Sequence, residues 1–528
     1  MKNLFSSKRK VKILTVVMFL CVNLTIYPQQ LDIDKVTLTK EEMFADYDEF
    51  VDIIKHVNPQ LTLRKKITGF DIIKHIEKQR NTIDTIKYSE TFIKLLINNL
   101  LLCNDMHNTN VFDQSAIKLL NNDTAKIIKL EQLFIQTDNR YYKKDRQSGY
   151  VKIPLFLYYH QGHYYSIGDC KKSYKDSNKT IDSIPQTAKI LSINDIPIEL
   201  IISESAEYSN THYSWDKKRK KPFYFPVLPN STIVKQKDGG ISVEYEYQNK
   251  SKTFHYNIDT EKILIAGGGY LFFSDRDGYV DYFEKDKLLY IRLPRMANRD
   301  FYLGEIAKKG KNKPISKVVI DIRNNPGGSD DVWMSILKNI ISKPLDIRAD
   351  IGYKNTERAI KALKLDSLTR KVVRVPMLDN EEFGVLTWGK ILQPSDSSLN
   401  FDGNIYVLQN RMVFSSAGSL SNVAKMHRNI VSVGETTGNL LGFGIAPVRF
   451  VLPNSCFVFQ LEPVLDISNA KTLYDYFHDN VEVPVNISVE HIVKYFNSYN
   501  PNKTDNFIYS KDFLYNSDPV FQKVLELK

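Results

Sequence analysis

The stretch VVIDIRNNPGGSDD, residues 318–331, decides the fold. Val318 to Ile322 is an apolar run broken only by Asp321, the pattern of a strand buried on both faces of a parallel sheet. Asn324 to Gly328 is a turn, and VWMSILKNII, residues 332–341, continues with the apolar spacing of a helix. Glycines at a strand-to-helix connection let backbone N–H groups face a ligand, although an ordinary glycine turn reads the same way. A nucleotide loop is excluded, because the GK[ST] ending and the GxGxxG pattern are both missing.

Working outward, LLYIRL (288–293), NIYVLQN (404–410) and IVSVGE (430–435) are further buried strands, with a helical SAGSLSNVAKM (416–426) between the last two. These strand–helix–strand units predict an α/β core with helices packed against a central sheet. A polar stretch at about 350–400 reads as an insertion or lid. Residues 150–260 carry short β-rich runs, and KILSINDIPIELI (189–201) reads as a strand, a tight turn at Asn194-Asp195 and a helix start. Such a unit suits the core of a PDZ-like module and equally a plain β-rich insertion. The block 36–106 reads helical. Thr39 and Glu42 make a capping box, and a second helix runs from about Ser89 to Leu101, ending in CNDMHNTNV (103–111). The tail from about 487 returns to helix. No period of 20–50 residues recurs, so a repeat protein is excluded.

The chain has 528 residues, of which 42% are hydrophobic and 25% charged, enough for several cores and far from a disordered composition. The formal charge is +11, but Lys2, Lys8, Arg9, Lys10 and Lys12 crowd the N-terminus ahead of an apolar stretch from Ile13 to about Tyr27. A basic segment before a short apolar core is the pattern of a secretory signal. Residues 1–30 are therefore expected to be removed near Gln29 or Gln30, with the mature chain in the periplasm or outside the cell. Cys21 lacks the small preceding residue of a lipoprotein anchor. The remaining balance is modest, so nucleic acid is not indicated as a partner, and the run Lys217 to Lys221 reads as a solvated loop. Cys103, Cys170 and Cys456 define no disulfide framework, and no CxxC or His/Cys cluster supports a metal site.

FSSAGS, residues 414–419, opens the helix after the NIYVLQN strand. A hydroxyl there either caps the helix or acts as a nucleophile whose oxyanion the helix N-terminus stabilises.

Taken in order, VVIDIRNNPGG, FSSAGS and the G-E-T-T-G of residues 434–438 resemble the C-terminal-processing (tail-specific) and tricorn-type serine peptidases. The resemblance covers about residues 36–500. It implies a crotonase-like (ClpP-like) α/β catalytic core at 270–500, an N-terminal helical region at 31–110, a PDZ-like module at 150–260 and a C-terminal tail at 501–528. The S-A pair makes Ser416 the implied nucleophile, with Ser415 the alternative after a one-residue slip. Gly327 and Gly328 resemble the oxyanion-hole glycines, and the amide of Ala417, just after Ser416, is the natural second donor. Two departures stand out. Ser419 occupies a position where many members have Glu. No lysine lies between Lys425 and Lys471, and Asn439 and Leu440 stand near the place where the processing branch puts its lysine. Lys425 is carried about 13 Å along its own helix, beyond reach of a dyad. The tricorn-type branch instead uses a histidine, and CNDMHNTNV resembles its D-G-H-T element, implying His107 as the base, with an apparent pKa of about 6–7. Candidates for the orienting acid are Asp475, Asp479 and Glu482 in the imperfectly matching YDYFHDNVEVPV. Glu435 is a fourth, of more structural character.

The expected function is thus an exported serine endopeptidase, needing no cofactor and acting on protein or peptide. The alternative is a non-hydrolytic binding protein for peptide, lipid or glycan on the same fold.

Overall fold

A computed structural model of the chain describes residues 36–138 without 104 and 106, 155–169, 184–208, 213–224 without 217, and 233–257 without 236 and 238. It further describes 278–365, 371–437 without 425, 447–477 without 469, 481–498 and 509–527. The signal segment, Lys425, Asn439, Leu440 and Asp479 lie outside these residues. Leu38–Lys528 makes one compact unit. Among the described residues no helix is long and apolar enough to cross a membrane.

A six-stranded sheet forms the centre, in the order β1 (Tyr279–Phe283), β2 (Leu288–Arg292), β3 (Lys317–Asp321), β4 (Ile405–Gln409), β5 (Ile430–Gly434) and β6 (Val483–Pro484). Strands β2 to β6 pair in parallel, and only β1 runs antiparallel. The unbroken apolar runs have a direct cause. Leu289, Ile291, Val318, Ile320, Ile405 and Val407 face one core, whereas Leu288, Tyr290, Val319, Tyr406 and Leu408 face a second on the other side. The first core receives α-helices Arg299–Gly310, Asp330–Lys338 and Ser416–Ala424. The second receives Phe156, Tyr158 and Ile167 from a neighbouring sheet and the C-terminal helices Val489–Ser498, Lys511–Ser517 and Pro519–Glu526.

The neighbouring sheet, residues 155–257, has the strand order Leu155–His160, His163–Asp169, Lys189–Ile193, Gly240–Tyr247 and Lys250–Asn257, with Ile196–Pro197 paired on Lys189–Ile193. Asn194 and Asp195 both have positive φ (48° and 64°), the conformation of a two-residue hairpin turn, and the helix Ile198–Tyr208 follows at once. The polar stretch near 350–400 folds as antiparallel strands Ala349–Lys354, Lys371–Val375 and Glu381–Trp388, joined by Leu465–Asp466.

At the N-terminal end the helix Lys40–Val57 begins with the capping box: Thr39 Oγ1 accepts from the Glu42 amide, and Glu42 accepts from the Thr39 amide. Buried Asp46 on this helix accepts from the Asn454 and Ser455 amides and from Asn454 Nδ2. Arg358 reaches across to Asp52 and Glu49. The helical segment is thus fastened to the strands that lead into the site.

Candidate active site

Strand β4 ends at Gln409, and Asn410–Phe414 make a short turn before the helix Ser416–Ala424. Ser415 occupies the corner with φ 55°, a left-handed conformation that is strained for a residue with a side chain. That corner leaves Ser415 half-buried. Ser416 takes the first helical position, is buried, and its Oγ meets no hydrogen-bond partner.

His107 reaches the same corner. Its Nε2 stands 3.1 Å from Ser415 Oγ, across 308 residues of chain, and its ring packs on Phe414 at 4.7 Å between centroids. The structure therefore sets Ser415 opposite the imidazole and leaves Ser416 Oγ buried without a hydrogen-bond partner. The physical reason is the helix start: the residue just before the first turn is free to take the left-handed corner, and the next is turned inward with its helix.

The histidine is positioned by a short antiparallel pairing. Thr109 pairs with Gln460 and Asn110 with Phe459. The same register continued two residues back sets His107 opposite Glu462. Gln460 Nε2 donates to His107 O at 2.9 Å, and the Glu462 amide donates to Asn108 Oδ1 at 2.7 Å. His107 Nδ1 lies 3.2 Å from Glu462 Oε2 and 3.3 Å from Asp105 Oδ1, both carboxylates fully buried. Nδ1 is in line with neither for a full hydrogen bond.

Burial by itself lowers the basicity of His107, but Asp105 and Glu462 outweigh it and raise the imidazole pKa well above its ordinary value. Burial likewise raises the Glu462 carboxyl, against the pull of His107. Against the expectation of about 6–7, the direction is upward: two buried carboxylates favour the imidazolium more than desolvation disfavours it.

The glycine turn closes the other side. Asn410 Oδ1 accepts from the Asn324 amide, Asn410 Nδ2 donates to Asn324 Oδ1, and the Phe414 amide donates to Asn325 O. Gly327 and Gly328 have φ 101° and 140°, outside the range of ordinary side chains. A Cβ on Gly327 would stand 2.7 Å from Ser415 Cβ and 3.0 Å from Ser416 N. Two of the three expected donors are occupied: the Gly327 amide donates to Asn325 Oδ1 at 2.8 Å, and the Ala417 amide to Phe414 O at 3.2 Å. The amides of Gly328 and Ser416 make no hydrogen bond among the described residues. With Ser415 at the corner, Ser416 supplies the amide that follows the hydroxyl facing His107.

The expected acids lie elsewhere. Asp475 accepts from the Lys471 and Thr472 amides, and Glu482 accepts from the Ser432 amide at 2.9 Å. Glu435 pairs with Arg411 and accepts from Tyr158 Oη. Glu462 escaped the sequence reading. Its one signal is a lone carboxylate inside the apolar run CFVFQLEPVL, residues 456–465, where an unpaired acid is rarely buried.

Residues 287–461 match Peptidase family S41. That segment contains the Gly327-Gly328 turn and both serines, and it stops one residue short of Glu462. No curated protein sequence matches the chain. Among solved structures, mature CPAF is 12% identical over 87% of this chain and 96% of that one, with a TM-score of 0.52. A serine-to-alanine mutant of CPAF is 11% identical, with coverages of 93% and 98% and a TM-score of 0.54. The photosystem II D1 C-terminal processing protease is 12% identical over 85% and 94%, with a TM-score of 0.36. At these identities the likeness to CPAF is one of fold. The match over residues 287–461 makes this third of the chain similar to peptidase family S41 and supports a serine-type peptidase.

Proposed function

We propose that this chain is an exported serine endopeptidase in which Ser415 is the nucleophile, His107 the general base and Glu462 the carboxylate behind the base. The observation that carries it is the 3.1 Å approach of His107 Nε2 to Ser415 Oγ. The neutral imidazole takes the Ser415 proton as Oγ attacks the peptide carbonyl. The oxyanion forms beside the Gly328 and Ser416 amides and the N-terminus of the helix Ser416–Ala424. The imidazolium then gives its proton to the leaving amine, and water, deprotonated by the same imidazole, releases the acyl group from Ser415. Glu462 and Asp105 stabilise the imidazolium that appears in both steps.

In this reading the central sheet and its helices are a crotonase-like (ClpP-like) core at 270–500. Residues 150–260 are a PDZ-like module, 31–110 are the N-terminal helical region, 501–528 are the tail and 1–30 the export signal. The hairpin turn and helix at 194–208 support the PDZ-like assignment. Arg411, four residues before Ser415, donates to Tyr159 O of that module, which ties it to the nucleophile turn.

A fluorophosphonate probe tests the proposal. Wild-type protein and Ser416→Ala should become labelled, whereas Ser415→Ala should not. Labelling of Ser415→Ala with loss in Ser416→Ala would return the role to Ser416. Absence of labelling in the wild type would favour the non-hydrolytic binding protein.

A further inference from the structure

With Ser415, His107 and Glu462 assigned as above, a second buried carboxylate stands at the imidazole, and its hydrogen bonds differ from those of Glu462. Asp105 Oδ1 accepts the His107 backbone N–H at 2.9 Å while standing 3.3 Å from Nδ1 of the same residue. Its Oδ2 accepts from Gln60 Nε2 at 2.8 Å. Gln60 has no freedom to turn its amide over. Arg64, which can only donate, binds Gln60 Oε1 through Nε at 3.2 Å and Nη2 at 2.9 Å, so the amide NH2 must face Asp105. The Gln60 backbone N–H is in turn held by Asn58 Oδ1 at 2.9 Å. Asn58, Gln60, Arg64 and Asp105 are all buried. Both oxygens of Asp105 are therefore committed as acceptors of fixed N–H groups. Glu462 is the opposite case: neither of its oxygens receives a well-aligned donor among the described residues.

We propose that Asp105 is a second positioning carboxylate for His107, dividing the work with Glu462, and that the helical segment Leu61–Thr68 reaches the chemistry through Gln60. Asp105 biases the ring's orientation and tautomer, because the oxygen that holds the backbone N–H also stands beside Nδ1 of the same residue. Glu462, less constrained, meets the charge that develops on the ring. The proposal rests on the reading of Ser415 and His107 given above.

The titratable groups around the ring are few. Asp105 and Glu462 face Nδ1, and Ser415 and the Phe414 ring lie on the other side. Cys103 and Arg64 flank Asp105; burial pushes the Cys103 thiol up to about 12, so it carries no charge near neutrality. Loss of the Asp105 charge should therefore be read by His107 directly.

The test is the pH dependence of the fluorophosphonate labelling rate in the full chain, for wild type, Asp105→Asn, Gln60→Met and Ser415→Ala. Asp105→Asn should lower the plateau rate about tenfold or more and move the acid limb about one unit toward lower pH. Gln60→Met should move both in the same direction by less, and it carries the test should Asp105→Asn not fold. A lower melting temperature with unchanged plateau and limb in these variants would overturn the proposal and leave Asp105 a purely structural acid. Failure of the wild type to label, or labelling of Ser415→Ala, would overturn the reading of Ser415 itself, and the proposal with it.

Discussion

Ser415 and Ser416 are adjacent, identical in chemistry and opposite in circumstance. Ser416 Oγ is buried and unsatisfied, and a buried hydroxyl without a partner costs about 1–3 kcal/mol. Ser416→Ala should accordingly keep the labelling rate and leave the melting temperature unchanged or higher; a large loss of activity would contradict the assignment. Gly327→Ala differs in kind. It demands φ 101° of a residue with a side chain and drives a Cβ to 2.7 Å from the Ser415 Cβ. Labelling should fall by at least about 10²-fold, the loss associated with a displaced oxyanion site, measured alongside a far-ultraviolet spectrum that stays native. The acid side of the labelling profile should lie above the ordinary imidazole value of about 6.5. The sign follows from the upward shift of His107: its imidazolium, useless as a base, persists to higher pH than in a free histidine. A limb centred below 6.5 would show that the two carboxylates do not act on the ring.

At the scale of elements, the parallel strands were legible because burial on both faces leaves an apolar run that no surface strand shows. The capping box at Thr39 was legible because its chemistry is local. The site was legible in its segments, FSSAGS and CNDMHNTNV, but not in its contacts. Which serine faces the imidazole depends on one φ value at a helix start, and two consecutive serines offer no contrast in letters. Glu462 depends on the register of a two-residue strand, Thr109–Asn110, with a partner some 350 residues away; nothing local encodes such a pairing. The loop between strands Val448–Val451 and Val458–Leu461 is held by Asp46 through three hydrogen bonds. Asp46→Ala strands those donors in the interior and should cost about 2–4 kcal/mol in denaturant unfolding. It should also lower activity, because Glu462 follows directly on that strand. Wild-type stability in this variant would show that the loop holds itself.

For the whole molecule, the glycine turn is braced by the far end of the chain. Buried Arg323 binds Asp321 and, at 2.6 Å, Asp518, while Asn324 Nδ2 donates to Tyr509 Oη at 2.9 Å. Lys317 Nζ donates to the carbonyls of Val524, Leu525 and Leu527. Burial works to raise the Asp321 carboxyl, but Arg323 and Arg292 outweigh it and hold it below the ordinary range. A depressed carboxyl stabilises the fold above its unfolded pKa of about 3.9 and loses that contribution as pH falls through the folded value. Unfolding followed from pH 6 to pH 2 should therefore show a steep loss below about pH 4, flatter in Asp321→Asn. The separation of 308 positions between His107 and Ser415 carries one more consequence. A ribosome must have released residue 462 before His107, Ser415 and Glu462 can meet, and residue 518 before the glycine turn is braced. Until residue 518 has emerged the growing polypeptide holds only fragments of the proposed site, so topology alone delays any activity that site has.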